Sequence, residues 1–362
     1  MKAIWIFTFV LLFVSPVSSK AGLYSLISSC QNCNNVSYSA TLKYQGTETH
    51  YINTTNQIVP YLNFTYCFKA SHHSVIRLTD ANKTRWEVPK TYPFPYNDDF
   101  QPCISLPQAQ ATINVTSSPF SFSVTRTLTK EVIFDSNAGD LIYSDYYLEF
   151  TTFLPSKNLY GFGERAYKLD LGTGGTFTLW NKDAMDLENV TPGHNVYGYH
   201  TVYLQREKSN NFSTVLLRSS NAMDVTITNP VLRCKSTLTY KVIGGILEFN
   251  IFTGDGKINS PESVVKQYHS FLGGWALHPF WAMGHHQCRW GYKNIQDLTQ
   301  VLANYSLHNL PLDVIWSDID YMSDYVDFTI NTTAFRPNIK SAGSLSSMQA
   351  LLSTTIPSTI SP

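Results

Sequence analysis

The chain has 362 residues, and its 26 Lys and Arg residues balance 26 Asp and Glu residues to a formal net charge of zero. At roughly 150 residues per domain, this length predicts about two domains, each large enough to bury a core. Charged residues make up only 14% and aromatic residues also 14% of the sequence, which excludes an intrinsically disordered polyelectrolyte. The neutral charge and the lack of a Lys/Arg run argue against a nucleic-acid-binding protein.

The N-terminus has the pattern of a secretory signal peptide, which we assign to residues 1–19. Lys2 supplies the positive charge, Ile4 to Val14 is apolar except for Thr8, and small residues follow at Val17-Ser18-Ser19. A membrane helix needs about 20 apolar residues, and no segment approaches that length. We therefore expect no membrane span in the mature chain, and a final location outside the cell or in the lysosome.

Nine Asn-x-Ser/Thr sequons agree with passage through the secretory pathway, where such asparagines accept N-linked glycans. Chance gives roughly five such triplets in a chain this rich in Ser and Thr, so the excess is modest support. The sequons are Asn35, Asn53, Asn63, Asn82, Asn114, Asn189, Asn211, Asn304 and Asn331.

Six cysteines follow the predicted signal peptide, four of them within the first 103 residues. An oxidising compartment favours disulfides between them, and the sequence leaves the pairing open. Cys30-Gln-Asn-Cys33 has the spacing of a redox motif or half a zinc site, but no βαβ context or second Cys pair accompanies it. We therefore expect no metal and no cofactor. The other cysteines are Cys67, Cys103, Cys234 and Cys288.

The region up to residue 255 has the pattern of β-structure. Phe120, Phe122 and Val124 alternate with Ser and Thr, the period of a strand with one buried face. Gly, Asn and Pro fall between many such runs, as in antiparallel turns. We predict a large antiparallel β-sandwich over residues 20–255. Further strands are predicted at Thr176–Trp180, Thr214–Leu217, Val225–Ile227, Leu238–Ile243 and Leu247–Phe252.

A different pattern begins near residue 260, at the start of a domain that we assign to residues 256–340. Ser260 is a good helix N-cap and Pro261 fits the first helical position. The helix is predicted to run to Leu272 and to stop at Gly273-Gly274, where glycine can adopt the left-handed conformation.

A strand, a helix and a strand follow, which predicts a βαβ crossover. The first strand is predicted from Phe280 through Gly284 to Cys288, the amphipathic helix from about Asn294 to Leu307, and the second strand at Leu312–Trp316. Such a unit places its two strands parallel and adjacent. Polar residues just past their carboxyl ends are expected to line a ligand site. These are Arg289-Trp290 and Ser317-Asp318-Ile319-Asp320.

Residues 341–362 form an atypical tail. No charged residue follows Lys340, and 10 of the last 22 residues are Ser or Thr. A (β/α)8 barrel needs about 250 residues, far more than the domain that begins at 256. We therefore expect an incomplete barrel, and a truncated or frame-shifted reading frame as the origin of the tail.

Four motifs follow one another along the chain: Tyr160-Gly-Phe-Gly-Glu-Arg165, Leu179-Trp-Asn-Lys-Asp183, His286-Gln-Cys-Arg-Trp-Gly-Tyr292 and Trp316-Ser-Asp-Ile-Asp-Tyr-Met322. Through these motifs, the chain resembles glycoside hydrolase family 31 over roughly residues 140–335, and within it the α-glucosidases of the maltase type. The resemblance implies a galactose-mutarotase-like β-sandwich followed by a TIM barrel. It also implies hydrolysis of terminal α-glucosidic bonds in maltose-like oligosaccharides, with retention of configuration and without a cofactor.

The resemblance further implies which residues contact the sugar. Asp318 matches the family aspartate that hydrogen-bonds sugar hydroxyls in the −1 subsite, and a carboxylate can accept from two adjacent hydroxyls. Trp290 and Ile319 match residues that wall the sugar pocket. Asp183 matches an aspartate on a sandwich loop near the +1 subsite. The residues expected to hold Asp318 in place are Asp320, Tyr321 and Arg289.

The two catalytic carboxyl groups of the family find no counterpart in the sequence. Retaining glycosidases need a nucleophile and an acid/base about 5–5.5 Å apart, and in this family both come from later barrel strands. No Trp-x-Asp-Met-Asn-Glu-like nucleophile segment is present, so both groups are expected beyond residue 362, which would leave this chain inactive. Two alternatives stay open, a lectin-like binding module and an inactive gene fragment.

His285, His286 and Cys288 superficially resemble a set of metal ligands. Adjacent residues of a strand point to opposite faces, so these three side chains cannot converge on one ion. We expect core histidines and a buried thiol instead.

Overall fold

A computed structural model of the chain describes residues 23–31, 37–51, 53–89, 103, 109–183, 194–230, 235–256 and 260–335. The predicted signal peptide and the tail 341–362 lie outside the described residues, as do Asn35, Asn189, Cys33 and Cys234. The chain divides into two compact units, one that ends at Gly274 and one that begins at Trp275.

The first unit contains the two antiparallel sheets of a β-sandwich, which confirms the predicted architecture. In spatial order, one sheet consists of β1 (Tyr24–Gln31), β2 (Tyr38–Tyr44), β3 (Tyr61–Ala70), β4 (His73–Asp80), β16 (Leu247–Phe252), β13 (Phe212–Leu217), β12 (Val202–Arg206) and β10 (Leu159–Gly161). The other consists of β11 (Gly175–Leu179), β14 (Met223–Thr228), β15 (Thr237–Val242), β9 (Leu148–Phe153), β7 (Val132–Asp135), β6 (Phe120–Arg126) and β5 (Ala111–Ser117), with β8 (Ile142–Tyr143) beside β9.

Aromatic side chains from both sheets fill the core between them. β6 buries Phe122 as its alternating pattern predicts. Phe134 of β7 and Phe150 of β9 pack against Phe249 of β16, with ring centroids 5.1 and 4.7 Å apart. Such pairs add to the free energy gained by burying their apolar area. The strands predicted from the sequence overlap β6, β11, β13, β14, β15 and β16.

Helix α1 (Pro261–Leu272) is part of the first unit and has the predicted bounds. It ends at Gly273, whose φ of 90° is left-handed, a conformation that glycine adopts without steric cost. Its Phe271 is buried against Phe252 of the first sheet. The predicted domain boundary at 255/256 therefore precedes a helix that packs on the sandwich, and the compact unit continues through that helix.

The second unit begins with a βαβ crossover. β17 (His286–Gln287) and β18 (Val314–Ile315) pair in parallel, and α2 (Ile295–Leu307) connects them. The Asn294 side chain caps α2 by accepting a hydrogen bond of 2.9 Å from the Asp297 amide. This confirms the predicted order and the parallel pairing. Neither helix in the described part of the chain is long and apolar enough to cross a membrane.

Both strands of the crossover are much shorter than predicted. Phe280–Met283 forms a 3₁₀ turn rather than a strand, and Phe280 is 89% exposed. Periodicity alone cannot identify the structure of a short apolar run, and a strand also needs a partner along its length. β17 pairs with β18 over two residues only, so the flanking apolar residues stay outside the ladder.

The cysteines and histidines are placed only partly as expected. Cys67 is disulfide-bonded to Cys103, and Cys30 is disulfide-bonded as well. Cys288 is an exposed thiol and His285 is exposed too, so the prediction of a buried thiol and a core histidine there is wrong. The reason is that these two residues flank β17 instead of lying within a buried strand. Among the described residues, no group of three or more His, Cys, Asp and Glu side chains is arranged to hold a metal ion.

The described sequons differ in exposure. Asn53, Asn82, Asn114 and Asn304 are exposed. Asn211 is only 3% exposed, at the turn between β12 and β13, where the folded chain leaves no room for a glycan. The pattern of sequons therefore overstates the number of accessible glycosylation sites.

A buried ion pair joins the two sheets at one end of the sandwich. Arg126 of β6 donates from Nε and Nη2 to the carboxylate of Glu207, which follows β12, at 2.7 and 2.6 Å. Its guanidinium also donates to the carbonyls of Thr253 and Phe212 at 2.8 and 3.0 Å. Arg126 and Glu207 are each 2% exposed. A buried pair is tolerated when its hydrogen bonds are satisfied in this way.

The Arg126→Ala variant should lower the free energy of unfolding by about 3–5 kcal/mol, because it leaves the Glu207 carboxylate buried and unpaired. Urea denaturation followed by far-UV circular dichroism measures this loss. Lys208→Ala removes an exposed cation next to Glu207 and serves as the matched control, with an expected change within about 0.5 kcal/mol. A loss under about 1 kcal/mol for Arg126→Ala would refute the role of the ion pair.

Candidate functional site

Two loops meet at the carboxyl ends of β17 and β18. The strands pair in parallel with Gln287 opposite Ile315, so the residues that follow them leave the sheet at the same edge. The Gly291 amide in the first loop donates a hydrogen bond of 2.6 Å to Oδ2 of Asp320 in the second. Gly291 has a φ of 110°, which a residue with a side chain rarely adopts. The structure therefore brings the two predicted loops into direct contact.

Asp318 opens the second loop in an unusual backbone conformation. It begins the 3₁₀ turn Asp318–Tyr321, and its φ of 55° lies in the left-handed region. A non-glycine residue there is uncommon, although Asp is among those that tolerate it, and such residues concentrate at functional sites. Oδ1 of Asp318 accepts a hydrogen bond of 2.7 Å from the Ile319 amide. This bond fixes the carboxylate, whose Oδ2 can accept from a ligand.

Exposed apolar side chains occur in both loops. Trp290 in the first loop is 65% exposed and Ile319 in the second is 40% exposed, so neither is a core residue. Trp316 is also exposed, and its indole Nε1 donates to Nδ1 of His286 at 2.9 Å. Exposed apolar surface next to fixed polar groups is typical of a binding site.

A buried layer beneath the loops fixes their starting points. The side-chain Nε2 of Gln287 donates to the Tyr292 hydroxyl at 2.9 Å, and its Oε1 accepts from the Tyr305 hydroxyl at 2.6 Å. Tyr292, Ile315 and Leu298 of α2 pack together in the core of the second unit. The sequence does not predict these contacts of Gln287, although Gln287 lies within one of the motifs, because the contacts depend on tertiary packing.

The supporting residues expected around Asp318 have separate contacts. Asp320 makes the hydrogen bond that joins the two loops. The Arg289 guanidinium instead lies over the Tyr292 ring, 5.2 Å from its centroid. Tyr321 packs partly buried against the core of the second unit.

Asp183 lies in the first unit, in the loop that follows β11. The Tyr197 hydroxyl donates a hydrogen bond of 2.8 Å to its Oδ1, and both residues are exposed. This hydrogen bond, together with the negative charge of Asp183, raises the pKa of Tyr197 above its ordinary value. The tyrosine hydroxyl therefore orients the carboxylate.

Asp183→Asn should lower the pKa of Tyr197 toward that of free tyrosine, because it removes the charge that disfavours the tyrosinate. Ultraviolet difference titration, with Tyr197→Phe used to assign the signal, measures this pKa. Asp170→Asn, a change of charge elsewhere on the same unit, is the control. An unchanged Tyr197 pKa in Asp183→Asn would show that the hydrogen bond does not form in solution.

Asp320→Ala should speed hydrogen exchange at the Gly291 amide by roughly tenfold or more, because a hydrogen bond to a charged acceptor is lost. Exchange followed by NMR or mass spectrometry measures the rate. Asp327→Ala changes an exposed carboxylate in the same segment and should leave the rate unchanged. Equal rates in the wild type and in Asp320→Ala would contradict the contact between the two loops.

Two sequence-family models match the chain. The galactose-mutarotase-like N-terminal domain of glycosyl hydrolase family 31 matches residues 65–225, and the TIM-barrel domain of the same family matches residues 275–361. Together they cover more than half of the chain. The second match extends to residue 361 and therefore includes most of the tail that starts at residue 341.

Curated relatives and solved structures agree with these matches. Lysosomal acid alpha-glucosidase of Tetrahymena pyriformis is 38% identical over 321 residues, which are 86% of this chain and 33% of the relative. Alpha-glucosidase of Hordeum vulgare is 39% identical over 278 residues, 72% of this chain and 30% of the relative. The chain thus spans about a third of the length of these relatives. A structure of the glucosidase II alpha subunit shares the fold, with a TM-score of 0.68 at 16% identity over 89% of this chain and 41% of that chain.

Proposed function

The chain belongs to glycoside hydrolase family 31, and from this premise we propose that it carries the glucosyl-binding part of an α-glucosidase active site. The proposed substrates are maltose-like α-glucoside oligosaccharides, which the complete enzyme hydrolyses with retention of configuration. The α-glucosidases among the relatives support this class of substrate.

The contact between the Trp290 loop and the Asp318 loop is the observation that carries the proposal. It joins the loop that contains Trp290 to the loop that contains Asp318 at the carboxyl ends of two parallel strands. Sugar hydroxyls donate to a carboxylate, and the apolar C–H face of a pyranose packs on an aromatic ring. The negative charge of the carboxylate disfavours phosphate and acidic ligands. The pair of loops therefore suits a neutral polyol.

Each proposed residue has its own role in binding. Asp318 accepts hydrogen bonds from the hydroxyls of the glucosyl ring in the −1 subsite, while Trp290 and Ile319 wall that ring. Asp320 positions the two loops against each other. Asp183, in the first unit, is proposed as a further sugar contact from its motif alone.

Bond cleavage is not assigned to these residues. Double displacement needs a nucleophile and an acid/base on the two sides of the scissile bond, and Asp318 is committed to binding hydroxyls. The sequence has no Trp-x-Asp-Met-Asn-Glu-like segment. We therefore assign to these 362 residues the binding and orientation of the sugar.

The proposed compartment is the secretory pathway, with secretion or delivery to the lysosome. The N-terminal pattern, the Cys67–Cys103 disulfide and the similarity to a lysosomal α-glucosidase support it.

Titration of the full chain with maltose tests the proposed site. ¹⁹F NMR of protein labelled with 5-fluorotryptophan reports on each tryptophan separately, and Trp290→Phe assigns the relevant signal. The Trp290 signal should shift with saturation, and Asp318→Asn should weaken this binding by about tenfold or more, because a charged acceptor is lost. A parallel assay should detect no glucose release.

Asp324→Asn is the matched control, since this exposed residue of the same segment also has a left-handed φ, of 51°. Its affinity for maltose should equal that of the wild type. Unchanged affinity in Asp318→Asn would refute the assigned role of Asp318. Robust turnover of maltose by this chain would refute the assignment of binding without chemistry.

A further inference from the structure

The strand β5 forms one end of the second sandwich sheet in the described part of the chain. It pairs with β6 over all seven of its residues without a register shift, so it is a straight strand of ordinary length. β1 of the first sheet meets this hairpin at its turn, where the hydroxyl oxygens of Ser25 and Ser118 lie 3.1 Å apart. The side of β5 that faces away from β6 therefore presents backbone N–H and C=O groups with which another strand could pair.

The usual protection of an edge strand is missing from β5. Proteins blunt sheet edges with charges, prolines, β-bulges or very short strands. At the other ends of the two sandwich sheets, β1 has a bulge between Leu26 and Ser28, β10 has three residues, and Arg165 occupies a carbonyl of β11. In contrast, no charged residue lies between Asp99 and Arg126, and β5 contains neither a proline nor a bulge. The strand has the composition of a segment that self-associates.

A sequon occupies the middle of this strand. It consists of Asn114-Val115-Thr116, and the Asn114 side chain is exposed. Residues that oppose each other in an antiparallel pair share one face of the sheet, so the neighbours of Asn114 follow from the register. They are all short hydroxyl side chains, which leave room above the asparagine for a bulky group. The opposed pairs on this face are Thr112 with Thr125, Asn114 with Ser123, and Thr116 with Ser121.

Glycosylation of Asn114 is compatible with the contacts of the hairpin. The reaction forms a bond between Nδ2 and the anomeric carbon of an oligosaccharide that is carried on a lipid diphosphate. The bond from that carbon to the diphosphate oxygen breaks, the lipid diphosphate leaves, and one proton is released from Nδ2. The product amide keeps one N–H. It can therefore retain the long hydrogen bond of 3.5 Å that Nδ2 donates to the Thr125 hydroxyl.

We propose that Asn114 carries an N-linked glycan and that this glycan shields the β5 edge from pairing with a second copy of the chain. A paired strand would lie about 4.8 Å from β5, well within the reach of an oligosaccharide attached at the middle of the strand. The glycan thus replaces the charge, bulge or shortness that protects a sheet edge elsewhere. The inference rests on the proposed passage through the secretory pathway and does not involve the sugar-binding loops.

Mapping of the glycosylated sequons tests the modification. The full chain is produced in cultured eukaryotic cells, and peptide N-glycosidase in H₂¹⁸O converts each glycosylated asparagine to ¹⁸O-labelled aspartate, which mass spectrometry locates. Asn114 should be labelled in the wild type and in Thr112→Ala, which alters the same face and keeps the sequon, but not in Thr116→Ala. An unlabelled residue 114 in the wild type would overturn the inference. Label at Asn53 in that same sample would show that the proposed compartment is not what failed.

Sedimentation velocity of the same proteins at equal concentration tests the shielding. Thr116→Ala and Asn114→Gln, which both lose the sequon, should shift from the wild-type distribution toward larger species, because the edge is open to a second chain. Thr116→Ser keeps an Asn-x-Ser sequon and should sediment as the wild type does. Asn53→Gln removes an exposed sequon from the loop between β2 and β3 and should also leave the distribution unchanged.

A charge placed on the strand provides a rescue. Thr112→Lys in the Thr116→Ala background should restore the wild-type distribution, because a lysine on an edge strand opposes pairing. Association through any other surface is common to all the variants and cancels in these comparisons. Equal distributions for the wild type and Thr116→Ala would overturn the shielding role, as would an equal shift in Asn53→Gln.

Discussion

The hydrogen bond between the Gly291 amide and the Asp320 carboxylate is the contact on which the candidate site depends. β17 and β18 share only two residue pairs, so the short ladder alone does little to fix the loops that leave it. A charge-assisted hydrogen bond contributes roughly 1.5–3 kcal/mol, enough to hold both loops in one arrangement. The Gly291 amide can make this hydrogen bond because Gly291 adopts a backbone conformation that residues with a side chain rarely adopt. Through this contact, the loop that contains Trp290 and the loop that contains Asp318 meet at one edge of the parallel strand pair.

The sandwich of the first unit is stabilised by contacts of its own. Aromatic side chains of both sheets fill its core, and the Arg126–Glu207 pair ties the sheets together at one end.

The sequence predicted best those elements whose determinants are local. The glycine stop of α1, the start of α2 at Asn294 and the alternating strand β6 all follow from capping or period. The apolar run at Phe280 is not a strand, although its pattern predicts one, because strand formation depends on a partner. The motifs predict Asp318 and Trp290 as sugar contacts, but the Gly291–Asp320 bond and the tyrosines around Gln287 depend on tertiary packing.

A double-mutant cycle on Trp290 and Asp318 tests most directly whether the two loops grip the same sugar ring. Maltose affinities of the full chain would be measured by calorimetry for the wild type, Trp290→Ala, Asp318→Asn and the double variant. Two residues that hold one ligand should show a coupling energy of about 0.5 kcal/mol or more. Strictly additive losses would mean that the two side chains act at separate places, and the assignment of a shared glucosyl site would be wrong.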